Sequence, residues 1–97
     1  MVTYVTLFQW TEKGVAEIDN TTARAQDFAQ SAEKVGAKVK QQYWTMGKFD
    51  GVLVLEAPDE VTAMGLLARL GRKGYVRTQS LRAFGAGEIQ QVLAKSK

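Results

Sequence analysis

Neither cysteine nor histidine occurs anywhere in the 97-residue chain, and proline occurs once. Without cysteine there is no disulfide framework, no thiolate nucleophile and no CxxC redox or zinc motif. Without histidine the commonest metal ligand and the commonest general base near neutral pH are both missing. Catalytic triads, zinc hydrolases and proximal-His haem sites are therefore excluded. Long apolar runs are lacking too. The longest largely apolar stretches are Val2 to Trp10 and Val52 to Ala57, whereas a membrane-spanning helix needs about 20 residues. The start of the chain has no charged region, apolar run and small-residue cleavage site of a signal peptide. The expected location is cytoplasmic, with no membrane partner. Dense charge of one sign is absent as well. Thirteen Lys and Arg against ten Asp and Glu give +3, spread along the chain with a slight excess at Lys95-Ser96-Lys97. A nucleic-acid-binding or regulatory module rests on that net charge alone, and nucleic acid is not an expected partner.

What is present has the balance of a globular protein, 45% hydrophobic and 24% charged, over a length suited to one domain, residues 1–97. Val2 to Trp10 is β-branched and aromatic and reads as a strand. Thr11-Glu12-Lys13-Gly14 is a turn-like break with Thr11 as a cap. Val15 to Val35 is rich in helix formers, with Phe28, Ala32 and Val35 on one face, Ala25 and Ala29 beside them, and Asn20 placed to cap the main helix. Gly36 suits a left-handed helix end. Ala37 to Met46 and Phe49 to Ala57 read as two strands joined tightly through Gly47-Lys48. After Pro58, Asp59 is placed to cap a helix to about Lys73 with Val61, Met64, Leu67 and Ala68 as its buried stripe. Glu60 near its start and Arg69, Arg72 and Lys73 near its end complement the helix dipole. Gly74 stops it. Tyr75 to Phe84 reads as a fourth strand and Glu88 to Ala94 as a short closing helix.

The order β-α-β-β-α-β is that of the ferredoxin-like α+β fold, a four-stranded antiparallel sheet with both long helices on one face. The other face of such a sheet is either wet or covered. In the first strand Val5 and Leu7 oppose Val2, Tyr4, Phe8 and Trp10; in the third, Val52 and Val54 oppose Leu53 and Leu55. Large apolar side chains on both faces imply burial of both, and therefore a homodimer or higher oligomer formed face to face. The polar second strand, with Lys38, Lys40 and Gln42 on one side and Gln41 on the other, is expected near an edge.

Several polar positions are candidates for a ligand-binding or structural site. Asp50 and Glu56 stand at opposite ends of the third strand, with Arg24, Arg77 and Arg82 available as partners. Asp50 is either a base or ligand anchor between sheet and helices, or a turn-capping residue beside Gly51. Tyr4, Tyr43 and Trp44 line a pocket or belong to core and interface. Arg77 and Arg82 point to opposite sides of one strand, and either suits an anionic ligand or an intersubunit ion pair. Gly85-Ala86-Gly87-Glu88 lacks the length, Lys and Ser/Thr of a phosphate loop and reads as a turn into the last helix. No carboxylate cluster has metal-ligand spacing, so neither metal nor cofactor is expected. Met46 beside the hairpin reads as a packing residue.

Over nearly its whole length the sequence resembles the GYD-domain family. The resemblance runs from the opening strand and its Thr11-Glu12-Lys13-Gly14 through Arg24 and Gly36. Its most distinctive part is Tyr43-Trp44-Thr45-Met46-Gly47-Lys48-Phe49-Asp50, followed by Glu56-Ala57-Pro58-Asp59. It closes on Gly74-Tyr75-Val76-Arg77-Thr78 and Leu81-Arg82-Ala83-Phe84. In the Gly, Tyr, Asp signature that names the family, Phe49 takes the aromatic place, so a hydroxyl there cannot be carried over. The resemblance implies a dimeric α+β barrel of unassigned biochemical role. The resulting expectation is a small homo-oligomeric protein binding a small molecule between sheet and helices. The alternative is a cofactor-independent enzyme, monooxygenase- or isomerase-like as related barrels can be, working through Asp, Glu, Tyr or Arg.

Overall fold

A computed structural model describes residues 1–97. Its elements are β1 (Val2–Trp10), α1 (Glu12–Ala16), a single 3-10 turn (Ile18–Asn20), α2 (Thr21–Lys34), β2 (Lys38–Trp44), β3 (Gly51–Ala57), α3 (Glu60–Arg72), β4 (Val76–Ala83) and α4 (Ala86–Lys95). The strands form one antiparallel sheet in the order β2-β3-β1-β4. This is the ferredoxin-like arrangement, and the polar β2 is an edge strand. The register aligns Thr6 with Leu53 and Ser80, and Val5 with Val54 and Leu81. Because side chains alternate along a strand, Tyr4, Thr6, Phe8, Leu53 and Leu55 share one face. Val5, Leu7, Val52, Val54 and Leu81 share the other.

The core lies on the first of these faces. Phe28 and Ala32 of α2 and Ala63, Leu66 and Leu67 of α3 pack with Leu53, Leu55 and Ala57 of β3 and with Ala37. Small residues at Ala32, Ala57 and Ala63, all fully buried, let the helices lie close to the sheet. Thr6, the one buried polar side chain, shares a 2.9 Å hydrogen bond with Ser80, so its hydroxyl is satisfied.

The helix ends follow from identifiable residues. Thr11 Oγ1 accepts from the Gly14 N–H at 3.1 Å, which turns the expected break into the first turn of α1. Gly36 and Gly74 have φ of 79° and 80°, a region open mainly to glycine, and stop α2 and α3. Asp59 accepts from the Thr62 N–H at 2.7 Å. That backbone hydrogen bond holds its carboxyl below the ordinary 3.8. A carboxyl depressed in the folded state contributes stability above 3.8 that is lost as pH falls through its folded value. Asp59→Ala is therefore expected to lower the melting temperature by a few degrees at neutral pH. Thermal scans should show the gap from wild type closing in acid; a gap that stays constant would refute the cap.

Five local expectations are corrected. The buried stripe of α3 is Ala63, Leu66 and Leu67 with half-buried Leu70, while Val61 and Met64 are exposed and Ala68 is exposed beside them. Both stripes have helical spacing, and the small Ala63 wins because it permits closer approach to Leu55 and Ala57. On α2 the core-facing stripe ends at Ala32, and Val35 is exposed after the helix has stopped. In β2 a bulge between Val39 and Gln41 adds one residue and resets the alternation. Lys38 and Gln41 consequently share the open face, and Gln42 turns to the helix side. The hairpin connection runs from Thr45 to Asp50 rather than through Gly47-Lys48 alone. Thr45 closes it, its N–H donating to Asp50 O at 2.9 Å and its hydroxyl to Phe49 O at 2.7 Å. Met46, on this loop, is fully exposed.

Candidate functional site

A cavity of about 60 Å³ opens between α2, α3 and the end of the sheet where β1 finishes and β3 begins. That is room for a few waters or one small organic group. Phe8, Phe28 and Leu53, all buried, form its apolar end. Trp44, Tyr75 and Val76 add further apolar wall, and Arg24, Arg69 and Lys73 complete the lining with Thr21 and Gln42. Each side chain is there for a local reason. Gln42 and Trp44 face the helices because of the β2 bulge. Trp44 is held by its indole N–H, which donates to Thr21 Oγ1 at 3.1 Å. Tyr75 follows the Gly74 stop and is fixed by its carbonyl, which accepts from the Thr11 N–H at 3.1 Å.

Arg24 is the best-anchored cation of the site. One guanidinium nitrogen, Nη1, donates to Glu17 O at 2.7 Å, and the guanidinium carbon sits 4.3 Å from the Tyr75 ring centroid. Lys13 Nζ also lies 4.4 Å from that centroid, so the ring carries two cation–π contacts. Arg24 Nη2 is buried and has no acceptor. Outside the cavity an open groove shares Arg24, Lys73 and Tyr75 and adds Lys13 and Arg72, with Glu17 and Asp27 as its carboxylates. The two ion pairs of the chain, Lys40–Glu56 at 4.0 Å and Arg82–Glu88 at 3.5 Å, lie elsewhere.

The remaining sequence candidates occupy other places. Asp50 joins the hairpin to the end of β1: its Oδ2 accepts from the Trp10 N–H at 2.8 Å, and its own N–H donates to Phe8 O at 2.8 Å. Glu56 is on the open face, near Lys40. Tyr43 and Arg77 are also on the open face and exposed. Tyr4 lies on the helix side, its hydroxyl donating to Glu60 Oε2 at 3.3 Å. Desolvation, the Glu60 charge and that hydrogen bond raise its phenol above the ordinary 10.0, against the lowering effect of Arg82. Arg82 is paired across the strands with Tyr4. It donates to Thr3 O at 3.4 Å and to Ala83 O, pairs with Glu88, and stacks 4.6 Å from the Phe84 ring. Glu88 in turn accepts from the Gly85 N–H at 3.3 Å, so Gly85-Ala86-Gly87-Glu88 starts α4. The structure thus brings Tyr4 and Arg82 together at one place and Arg24 and Trp44 at the cavity.

Arg69, Lys73 and Tyr75 line the cavity without having been singled out as site residues in the sequence. The only signal available is the four-residue spacing of Arg69 and Lys73 beside apolar Leu70, which the helix dipole also explains.

The sequence profile of the GYD domain matches residues 4–93. The glutamine synthetase and cystathionine beta-lyase binding protein of Thermus thermophilus is 29% identical over 90 residues, covering 92% of this chain and 95% of that protein. A crystal structure of a protein from Thermus thermophilus superimposes with a TM-score of 0.55 at 22% identity, over 89% of this chain and 96% of the other. That likeness supports the ferredoxin-like fold. With the profile spanning most of its length, the chain belongs to the GYD-domain family.

Proposed function

We propose that the chain is a binding protein that works as a homodimer, its two sheets packed face to face and a small-molecule cleft on the helix side of each. The reading rests chiefly on one observation: the sheet carries apolar side chains on both faces, and the helices cover only one. Val5, Leu7, Val52, Val54 and Leu81 form the uncovered patch, with Leu81 48% exposed. A continuous apolar surface of this kind is characteristic of an interface. On α4, Ile89, Val92 and Leu93 are likewise exposed, which gives the second copy or a protein partner further apolar surface. The Thermus relative is named for binding two enzymes, which supports a role exercised through binding. A cytoplasmic location belongs to the same reading. No helix is long and apolar enough to cross a membrane.

Val54→Lys tests the reading, because Val54 lies in the middle of the open face and its change leaves the helix-side core intact. The expected result is a halved mass by light scattering, with the circular dichroism of a folded chain retained. An unchanged mass would move the interface away from this face.

A further inference from the structure

Resting on the reading of the cleft as a binding site, we infer that its ligand is a small organic carboxylate with an apolar, ring-sized body. The apolar end of the cavity, Phe8, Phe28 and Leu53, has no hydrogen-bonding side chain, so it selects a hydrocarbon group. Its cations select charge. Arg24, Arg69 and Lys73 line one small space, and none of them is in an ion pair. A buried guanidinium N–H without an acceptor is costly, and Arg24 Nη2 is such a group. Nη2 has almost no open surface, so a carboxylate reaches it only as the guanidinium shifts, whereas exposed Arg69 and Lys73 meet the ligand directly. Guanidinium matches a carboxylate through two parallel hydrogen bonds.

Two further features favour an anion here. Asn20, at the start of α2, makes no side-chain capping bond, and the first turn of that helix has no acidic residue. That end of the helix lies next to cavity-lining Thr21 and Arg24 and its dipole favours an anion. The nearby carboxylates Glu17 and Asp27 belong to the outer groove and not to the cavity lining. The enclosed space, about 60 Å³, is smaller than the roughly 150 Å³ that takes up a benzene ring, so a ring enters only in part and its charged group stays at the open mouth.

The test is a titration of the full chain with benzoate, benzyl alcohol, benzylammonium and inorganic phosphate. The readout is the indole N–H resonance of Trp44, assigned with a Trp10→Phe variant. Benzoate is expected to shift it and to bind at least about tenfold more tightly than benzyl alcohol, the scale of one charge-assisted hydrogen bond. Benzylammonium and phosphate are expected to leave it in place. Arg24→Gln should remove about tenfold of the benzoate affinity and leave benzyl alcohol unaffected. The exposed pair Arg69→Gln and Lys73→Gln should do the same if Arg24→Gln does not fold. Benzyl alcohol binding as tightly as benzoate would overturn the carboxylate and leave the cleft a binding site. Phosphate competing as well as benzoate would overturn the apolar body. No shift with any probe would overturn both the ligand class and the cleft.

Discussion

Gly14→Ala is expected to destabilise the protein by about 3 kcal/mol, the upper end of the usual range for overpacking. In an ordinary helix the same change stabilises by up to about 1 kcal/mol, because alanine is the better helix former. Here the sign reverses. A Cβ at Gly14 would stand 2.1 Å from the Tyr75 carbonyl oxygen and 3.2 Å from Trp10 Cδ1. The first obstacle is backbone, already committed as acceptor to the Thr11 N–H, so it cannot swing aside as a side chain would. Relief requires α1 to lift from the Gly74-Tyr75 segment, loosening the Thr11 contacts with Gly74 and Tyr75 and that of Lys13 with Lys73 O. Tyr75 also carries the Arg24 stack, so the cavity loosens with it. Urea denaturation at unchanged m-value measures the effect. A variant as stable as wild type would mean that α1 does not lie against Tyr75.

Gly51→Ala is the second large effect, about 1–3 kcal/mol, and it couples stability to the cavity. The added Cβ would meet the Phe8 ring at 2.1 Å and the Tyr43 carbonyl oxygen at 2.7 Å. Phe8 is a buried cavity residue and Gly51 is its partner across β1 and β3. The glycine makes the space that the ring occupies. Once displaced, the ring has the cavity as its available free volume, so benzoate affinity should fall together with the denaturation midpoint. A stability loss with undiminished benzoate binding would show that Phe8 does not form the apolar end of the site.

Much of this fold is legible in local sequence. Thr11, Asp59, Gly36 and Gly74 mark helix ends through bonds and backbone conformations that span only a few residues. The alternation of Val5 and Leu7 against Tyr4 and Phe8 assigns β1 to both faces before any partner strand is known. What local patterns do not settle is the phase of packing. In α3, Val61 and Met64 compete with Ala63 and Leu66 for the same helical spacing, and closeness to Leu55 and Ala57 decides between them. In β2, one extra residue after Val39 reverses the faces of everything that follows, and a bulge leaves little trace in composition.

The cavity is less legible still. Its lining comes from all four strands, two helices and the segment at Lys73 and Tyr75, so no single stretch of chain announces it. Arg24 is visible as an unassigned cation in a helix, but its stack on Tyr75 joins residues far apart in sequence. Asp50 shows the same difficulty. Its position after the hairpin loop is readable, whereas the Trp10 N–H that occupies its carboxylate belongs to another strand.

On the proposal above, a second copy covers the open sheet face and makes this chain one half of a symmetric binding protein. Light scattering of the wild-type chain through a dilution series tests it most directly. The expected mass is twice the 10.7 kDa of one chain, falling toward one chain only on strong dilution. A mass of 10.7 kDa throughout, with the chain folded, would contradict it.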